Sequence, residues 1–216
     1  MSRRVLLGAM VAAAATGASF AQAPVRVVTS TTILADFVRA VGGERVSVAS
    51  LVPANADAHV YQPTPADGRA LAAAGLVVFN GFGLEGAGFS RLVRASGYRG
   101  TLVNAADGIA IVRAPGRHDH GHGGGRAQRE VVAPGGVPDP HGWQNVANAT
   151  VYARNIAAAL ARIDGAGAAD YQANAARFAQ RMAELDAWVR SRIAAVPAPK
   201  RRVITTHEAF SYFGAA

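Results

Sequence analysis

The sequence contains no cysteine. That absence removes disulfides, thiolate metal sites and cysteine nucleophiles, and it leaves no thiol for the lipid attachment used by bacterial lipoproteins. The uncharged, mostly apolar stretch from Val5 to Phe20 falls short of the roughly 20 residues that a membrane-spanning helix needs. Acidic residues are few: 14 Asp and Glu face 22 Lys and Arg, giving a formal net charge of +8. The arginines are scattered (Arg39, Arg69, Arg91, Arg154, Arg177, Arg190), with no basic patch interleaved with aromatic residues, so nucleic acid is not the indicated partner.

Common catalytic signatures are missing too. His207-Glu208 begins like His-Glu-x-x-His, but Ser211 stands where the second histidine belongs. There is no Gly-x-Ser-x-Gly elbow and no phosphate loop ending in Gly-Lys. The glycine-rich tracts 81–88 and 121–125 lack the strand–turn–helix context of a dinucleotide fingerprint.

What is present starts with an address. Met1-Ser2-Arg3-Arg4 is a short positive segment, Val5 to Phe20 is apolar, and Ala21-Gln22-Ala23 matches a small-x-small cleavage site. Residues 1–23 therefore read as a cleavable signal peptide, cut after Ala21 or Ala23. Losing Arg3 and Arg4 leaves 20 basic against 14 acidic residues. The expected product is soluble in a periplasm and not inserted in the membrane.

Half of the residues are hydrophobic, enough for a sizeable core. After the leader, strand and helix alternate. Val25–Thr29 reads as a strand and Ile33–Val41 as a helix stopped by Gly42-Gly43. A second strand is expected over Val46–Val52. Thr64-Pro65-Ala66-Asp67 has the cap, the first-turn proline and the acid that open a helix. Strands over Leu76–Phe79 and Thr101–Val103 flank a helix at Phe89–Ala95. This order predicts an α/β fold with a parallel sheet covered by helices on both faces. Prolines and glycines across 108–140 predict a loop. Helices follow at about 146–163 and 169–196, the second with Phe178, Met182, Leu185, Trp188, Val189 and Ile193 at helical spacing as a packing surface. Pro197-Ala198-Pro199 ends it, and Arg202–Thr206 reads as a new strand.

Six histidines remain to be placed. His118, His120 and His122 form the compact run His-Asp-His-Gly-His within the glycine-rich loop. His59, His141 and His207 are isolated, each near a predicted strand end or loop exit, where open α/β sheets build ligand sites. A single loop histidine is ordinarily a surface residue; three at such positions make a shared metal site worth testing.

The residues around them resemble those of one family. Val52-Pro53-Ala54-Asn55-Ala56-Asp57-Ala58-His59-Val60-Tyr61-Gln62-Pro63-Thr64-Pro65-Ala66-Asp67 is similar to the first ligand motif of the ZnuA/TroA-like metal receptors, solute-binding proteins of ABC transporters. Asp139-Pro140-His141-Gly142-Trp143 resembles the second, and Thr206-His207-Glu208-Ala209-Phe210-Ser211-Tyr212-Phe213 the third. Asn80-Gly81 with Leu84-Glu85 matches a further family segment, and all fall in family order.

The resemblance implies two α/β lobes joined by a long rigid helix, with the metal held between them. His59, His141 and His207 become the metal ligands by carry-over, with His118, His120 and His122 as an auxiliary metal-binding loop. Manganese-preferring relatives commonly carry Glu at the third position, so His207 points to Zn²⁺ as the transported ion, with Mn²⁺ as the alternative. Ala58 departs from zinc receptors that carry an acid before the first histidine. The expected organisation is a signal peptide (1–23), an N-terminal metal-binding lobe (24–145, with the flexible His-rich loop 113–137), helices including the inter-lobe helix (146–196), and the first strand of a truncated C-terminal lobe (201–216). The family's fourth, acidic ligand would lie further along such a lobe. The implied role is a non-enzymatic, monomeric periplasmic receptor that delivers Zn²⁺ to an ABC permease and its ATPase. A periplasmic zinc buffer or adhesin and a three-histidine zinc hydrolase are the rival readings, the latter with Glu208 or Asp139 as the candidate base.

Overall fold

The computed structural model describes residues 23–114, 136–205 and 207–216. The expected signal segment, apart from Ala23, and the histidines His118, His120 and His122 lie outside the described residues.

Strands β1 (Val25–Thr29), β2 (Val46–Ser50), β3 (Leu76–Phe79) and β4 (Thr101–Asn104) form one sheet in the order β2-β1-β3-β4. Every neighbouring pair is parallel. Both faces of such a sheet are covered, so its central strands read as unbroken apolar runs, as in Leu76-Val77-Val78, all fully buried. Val27, Leu76 and Val78 point into one core, together with Leu34 and Val38 of α1 (Thr32–Gly42), Tyr152, Ile156 and Leu160 of α4 (Asn148–Ile163), and Tyr171 and Phe178 of α5 (Ala168–Ala194). Val28 and Val77 point the other way, against Leu71 of α2 (Pro65–Ala72) and Phe89 of α3 (Gly86–Ala95). The period-2 alternation of one strand thus feeds two cores.

Local chemistry sets the helix starts. The Thr31 side chain accepts from the Leu34 amide at the head of α1. At α2, Thr64 and Asp67 exchange side-chain-to-backbone hydrogen bonds in a reciprocal capping box, with Pro65 in the first turn. Between the ends of the proline- and glycine-rich stretch, β5 (Arg113–Ala114) pairs antiparallel with β6 (Val137–Pro138), which the sequence did not predict.

Two expectations need correcting. No strand forms over residues 201–205; Val203 and Ile204 are 82% and 99% exposed, and the segment makes no ladder with any described strand. An extended segment becomes a strand only when its amides and carbonyls are paired. The apolar stripe of the long helix is also only partly used. Phe178 is buried and Met182 packs on the core, whereas Leu185, Trp188 and Ile193 stay exposed along a helix about 40 Å long. The short helix α6 (Ser211–Gly214) instead ties the last residues to the lobe. Tyr212 is buried in the main core, and its hydroxyl accepts from the Val112 amide.

Among the described residues, no helix is long and apolar enough to cross a membrane.

Candidate metal centre

The chain runs from β1 to β2 on one side of the sheet and then crosses to β3 on the other, so the strand order reverses between β1 and β3. In parallel sheets the crevice outside the carboxyl ends at such a reversal is where ligands bind. His59 sits in the loop between β2 and α2, His141 just after β6, and His207 just before α6. The structure brings all three together at this crevice.

His59 Nε2 lies 3.1 Å from His141 Nε2, and His207 Nε2 lies 3.4 Å from the same atom. The ring centroids are 5.2, 5.7 and 5.2 Å apart, and one nitrogen from each ring lies within 4.8 Å of the other two. A tetrahedral ion with metal–nitrogen bonds of 2.0–2.1 Å separates its ligand nitrogens by about 3.3 Å. Two edges of the histidine triangle already have that length. Three imidazoles this close cannot all direct protons at one another; lone pairs converging on one point are the arrangement that a cation relieves.

The three rings are held with unequal firmness. His207 is exposed and His59 half-buried, its amide donating to Asp57 Oδ1 at 2.8 Å. His141 is 3% exposed and is gripped from several sides. Its Nδ1 lies 2.6 Å from Asp139 Oδ1, and its amide donates to the same oxygen at 2.9 Å. Asn148 Nδ2 donates to the Gly142 carbonyl at 2.8 Å, and Trp143 stands edge-on to the imidazole with centroids 5.3 Å apart. A carboxylate on Nδ1 puts the ring proton there and leaves the Nε2 lone pair for a metal.

Asp139 is fully buried. Burial alone would raise its carboxyl, but the His141 amide, the Ser211 hydroxyl and the His141 ring outweigh it and hold the group below the usual carboxylate range. The Ser211 contribution comes without a well-formed hydrogen bond, since Oδ2 has no such partner. A buried anion placed against the imidazole offsets part of the charge of a cation bound at Nε2.

A turn after β3 supports this loop. Glu85 accepts from the Ser30 hydroxyl at 2.7 Å, the Asn80 amide at 2.6 Å and the Gly81 amide at 3.3 Å. Burial pushes its carboxyl above the ordinary glutamate range, and those hydrogen bonds oppose the shift. Gly81 has φ = 90°, which the backbone reserves for glycine, and a Cβ there would also run into the Asn104 carboxamide. The sequence marked Asn80 and Glu85 only as parts of motifs, and Asp139 as part of a motif and as a candidate base in the hydrolase reading; it gave no sign of Tyr152, whose place in a helix pattern signals only a core residue.

The profile of the family described as zinc-uptake complex component A, periplasmic (ZnuA), matches residues 27–216. The manganese ABC transporter substrate-binding lipoprotein PsaA of Streptococcus pneumoniae is 28% identical over 217 residues, covering 98% of this chain and 65% of that protein. The iron ABC transporter substrate-binding lipoprotein MtsA of Streptococcus pyogenes serotype M1 is 28% identical, over 96% of this chain and 64% of its own length. Among solved structures, a zinc-bound deletion mutant of ZnuA superposes with a TM-score of 0.76 at 28% identity, over 89% of this chain and 66% of that one. The manganese-bound periplasmic metal-binding protein of Candidatus Liberibacter asiaticus gives 0.73 at 26% identity, over 88% and 65%. The chain thus spans about 65% of the length of the curated relatives it matches. PsaA and MtsA are named as substrate-binding proteins of transporters rather than as enzymes.

Proposed function

This chain belongs to the periplasmic zinc-uptake component family (ZnuA) of metal ABC transporters, and from that premise we propose that it captures a divalent transition-metal ion outside the cytoplasm and hands it to an ABC permease driven by its ATPase. The observation that carries the reading is the convergence of His59, His141 and His207, with nitrogens 3.1 and 3.4 Å apart at the sheet's reversal point. The metal is cargo, and the protein performs no covalent step on it. His141, backed by the Asp139 carboxylate, is the fixed ligand; the half-buried His59 and the exposed His207 close on the ion from either side. A buried anchor with two more exposed partners permits both capture and release.

Zn²⁺ is the ion that these donors suit best. The cluster among the described residues offers three imidazoles, and imidazole favours zinc, whereas manganese prefers carboxylate, carbonyl and water oxygens. Manganese is the competing reading, favoured by the names of PsaA and of the manganese-bound Liberibacter structure. Side-by-side titration of the metal-free chain with both ions decides: zinc must bind at least 100-fold more tightly than manganese, and equal affinities exclude the zinc assignment.

Residues 1–23 support export through a cleavable signal peptide to the periplasm, tested by finding a product that begins at Gln22 or Pro24 in the osmotic-shock fraction. His118, His120 and His122 serve as a weaker auxiliary zinc loop, because a glycine-rich segment loses much conformational entropy in wrapping an ion. The long helix α5 is assigned as the connector between the lobe built around β1–β4 and a second lobe.

A further inference from the structure

The peptide unit joining Pro140 to His141 is hydrogen-bonded at both ends. Its N–H donates to Asp139 Oδ1 at 2.9 Å, and its carbonyl accepts from Asn80 Nδ2 at 2.9 Å. Asn80 in turn accepts, at Oδ1, the hydroxyl proton of Tyr152 at 2.9 Å. We propose that Tyr152 and Asn80 form a buried positioning relay that fixes the backbone of His141 and so aims its Nε2 at the metal. This inference rests on the metal-capture reading above and adds to it two residues that touch neither ion nor imidazole.

Three features carry it. Asn80 is 1% exposed and Tyr152 is fully buried, so water cannot replace either bond. The carboxamide is polar at both ends, and only one orientation works. Nδ2 faces the carbonyls of Pro140 and Gly81, at 2.9 and 3.1 Å. Were the amide turned over, Oδ1 would meet both carbonyl oxygens and Nδ2 would meet the hydroxyl, replacing two bonds with repulsion. The Tyr152 hydroxyl holds the working orientation by donating to Oδ1. Burial raises its pKa well above the ordinary phenol value, so it remains a donor across the physiological range.

The third feature is Gly142. A Cβ at that position would lie 3.0 Å from the Tyr152 hydroxyl oxygen, tighter than an ordinary contact. The absence of a side chain at 142 is what lets α4 bring the tyrosine under the metal-site loop. The relay thus connects α4, the end of β3 and the His141 loop, while Asp139 separately orients the ring. Backbone and ring of one ligand are set by different partners.

The test uses full-length Tyr152→Phe and Asn80→Asp, with zinc affinity measured against a chromophoric chelator and folding followed by circular dichroism. Phe keeps the ring and removes only the donor. Asp keeps the acceptor for Tyr152 but puts an oxygen opposite the Pro140 carbonyl. Each folded variant is expected to lose about 10–100-fold in zinc affinity, the usual effect of removing support behind a metal ligand. The loss must persist in a His207→Ala background and vanish in His141→Ala, a dependence that general loosening of the fold does not produce. If Asn80→Asp fails to fold, Tyr152→Phe decides alone. Affinity within twofold of the unsubstituted chain, or the same weakening in both histidine backgrounds, overturns the relay. If the unsubstituted chain binds no zinc, the capture reading falls and the relay with it. If it binds zinc and His141→Ala loses it while Tyr152→Phe retains it, the relay alone is wrong.

Discussion

His59 and His141 lie 82 positions apart in the sequence, yet their Nε2 atoms come within 3.1 Å of each other. The first reaches the contact on the loop after β2, and the second on the loop after β6. The exit of β2 lies at the carboxyl edge of the parallel sheet, and Asn80 at the end of β3 holds the Pro140 carbonyl at 2.9 Å, which brings the loop after β6 to the same edge. Their meeting is a property of the topology as much as of either loop.

The three histidines should not be equivalent. His141→Ala removes the buried imidazole that faces both others, and should weaken zinc binding more than the ~10–100-fold typical of losing outer support. His207→Ala removes an exposed imidazole and should cost less, because that side chain must be ordered on binding. Calorimetric titration of the alanine variants gives the ranking; His207→Ala as the most damaging of the three would contradict it.

Asp139→Asn keeps an oxygen for the His141 amide and ring but removes the buried negative charge. Zinc affinity should fall about 10–100-fold with little change in secondary structure. An unchanged affinity would mean that the carboxylate only shapes the loop.

Much of this was legible in the sequence, for identifiable reasons. The strands over Val25–Thr29 and Leu76–Phe79 appear at their expected limits because both carry short valine-rich apolar runs, Val27-Val28 closed by Thr29 and Leu76-Val77-Val78 opened after Gly75. The start of α2 was legible because a capping box is local chemistry. His59, His141 and His207 were legible as a candidate set through the motifs around them. The relay through Asn80 and Tyr152 was not, because it depends on 72 residues of chain folding back so that a helix meets a strand end. The expected strand at 202–206 misled for a related reason. Val203-Ile204 has strand propensity, but pairing is a tertiary property, and both side chains are exposed.

Gly81→Ala should destabilise the lobe by more than ~1 kcal/mol, since it forces an L side chain into φ = 90° and against Asn104. The Glu85-anchored turn carries Asn80, so zinc affinity should fall as well. Thermal unfolding and zinc titration of the variant test both halves; an unchanged melting temperature would refute the steric account.

Stability should fall in acid through a site remote from the histidines. Asp164 accepts from the Tyr171 hydroxyl at 2.5 Å and lies 3.6 Å from Arg45 Nη1. The Tyr171 hydrogen bond holds its carboxyl below the usual aspartate range, against the effect of burial and with help from Arg45. A carboxyl with a depressed folded-state pKa adds stability that is complete above its unfolded value near 3.9 and drains away as pH falls toward the folded value. Tyr171 is shifted upward by burial and by Asp164, so its contribution is lost only above about pH 10. Asp164→Asn should therefore flatten the decline that begins as pH falls below about 5 and, by removing one cause of the Tyr171 shift, also lessen the loss above about pH 10; an identical acid limb in the variant would remove Asp164 from the account.

The central claim is that His59, His141 and His207 together make one tight metal site. The most direct measurement is zinc titration of the full metal-free chain beside a variant in which all three are alanine and His118, His120 and His122 are retained. The unsubstituted chain should bind one tight equivalent and gain about 2.7 kcal/mol of stability when free zinc is 100 times its dissociation constant. The variant should lose both the tight equivalent and that gain. A tight equivalent that survives the triple substitution would place the metal elsewhere and contradict the account.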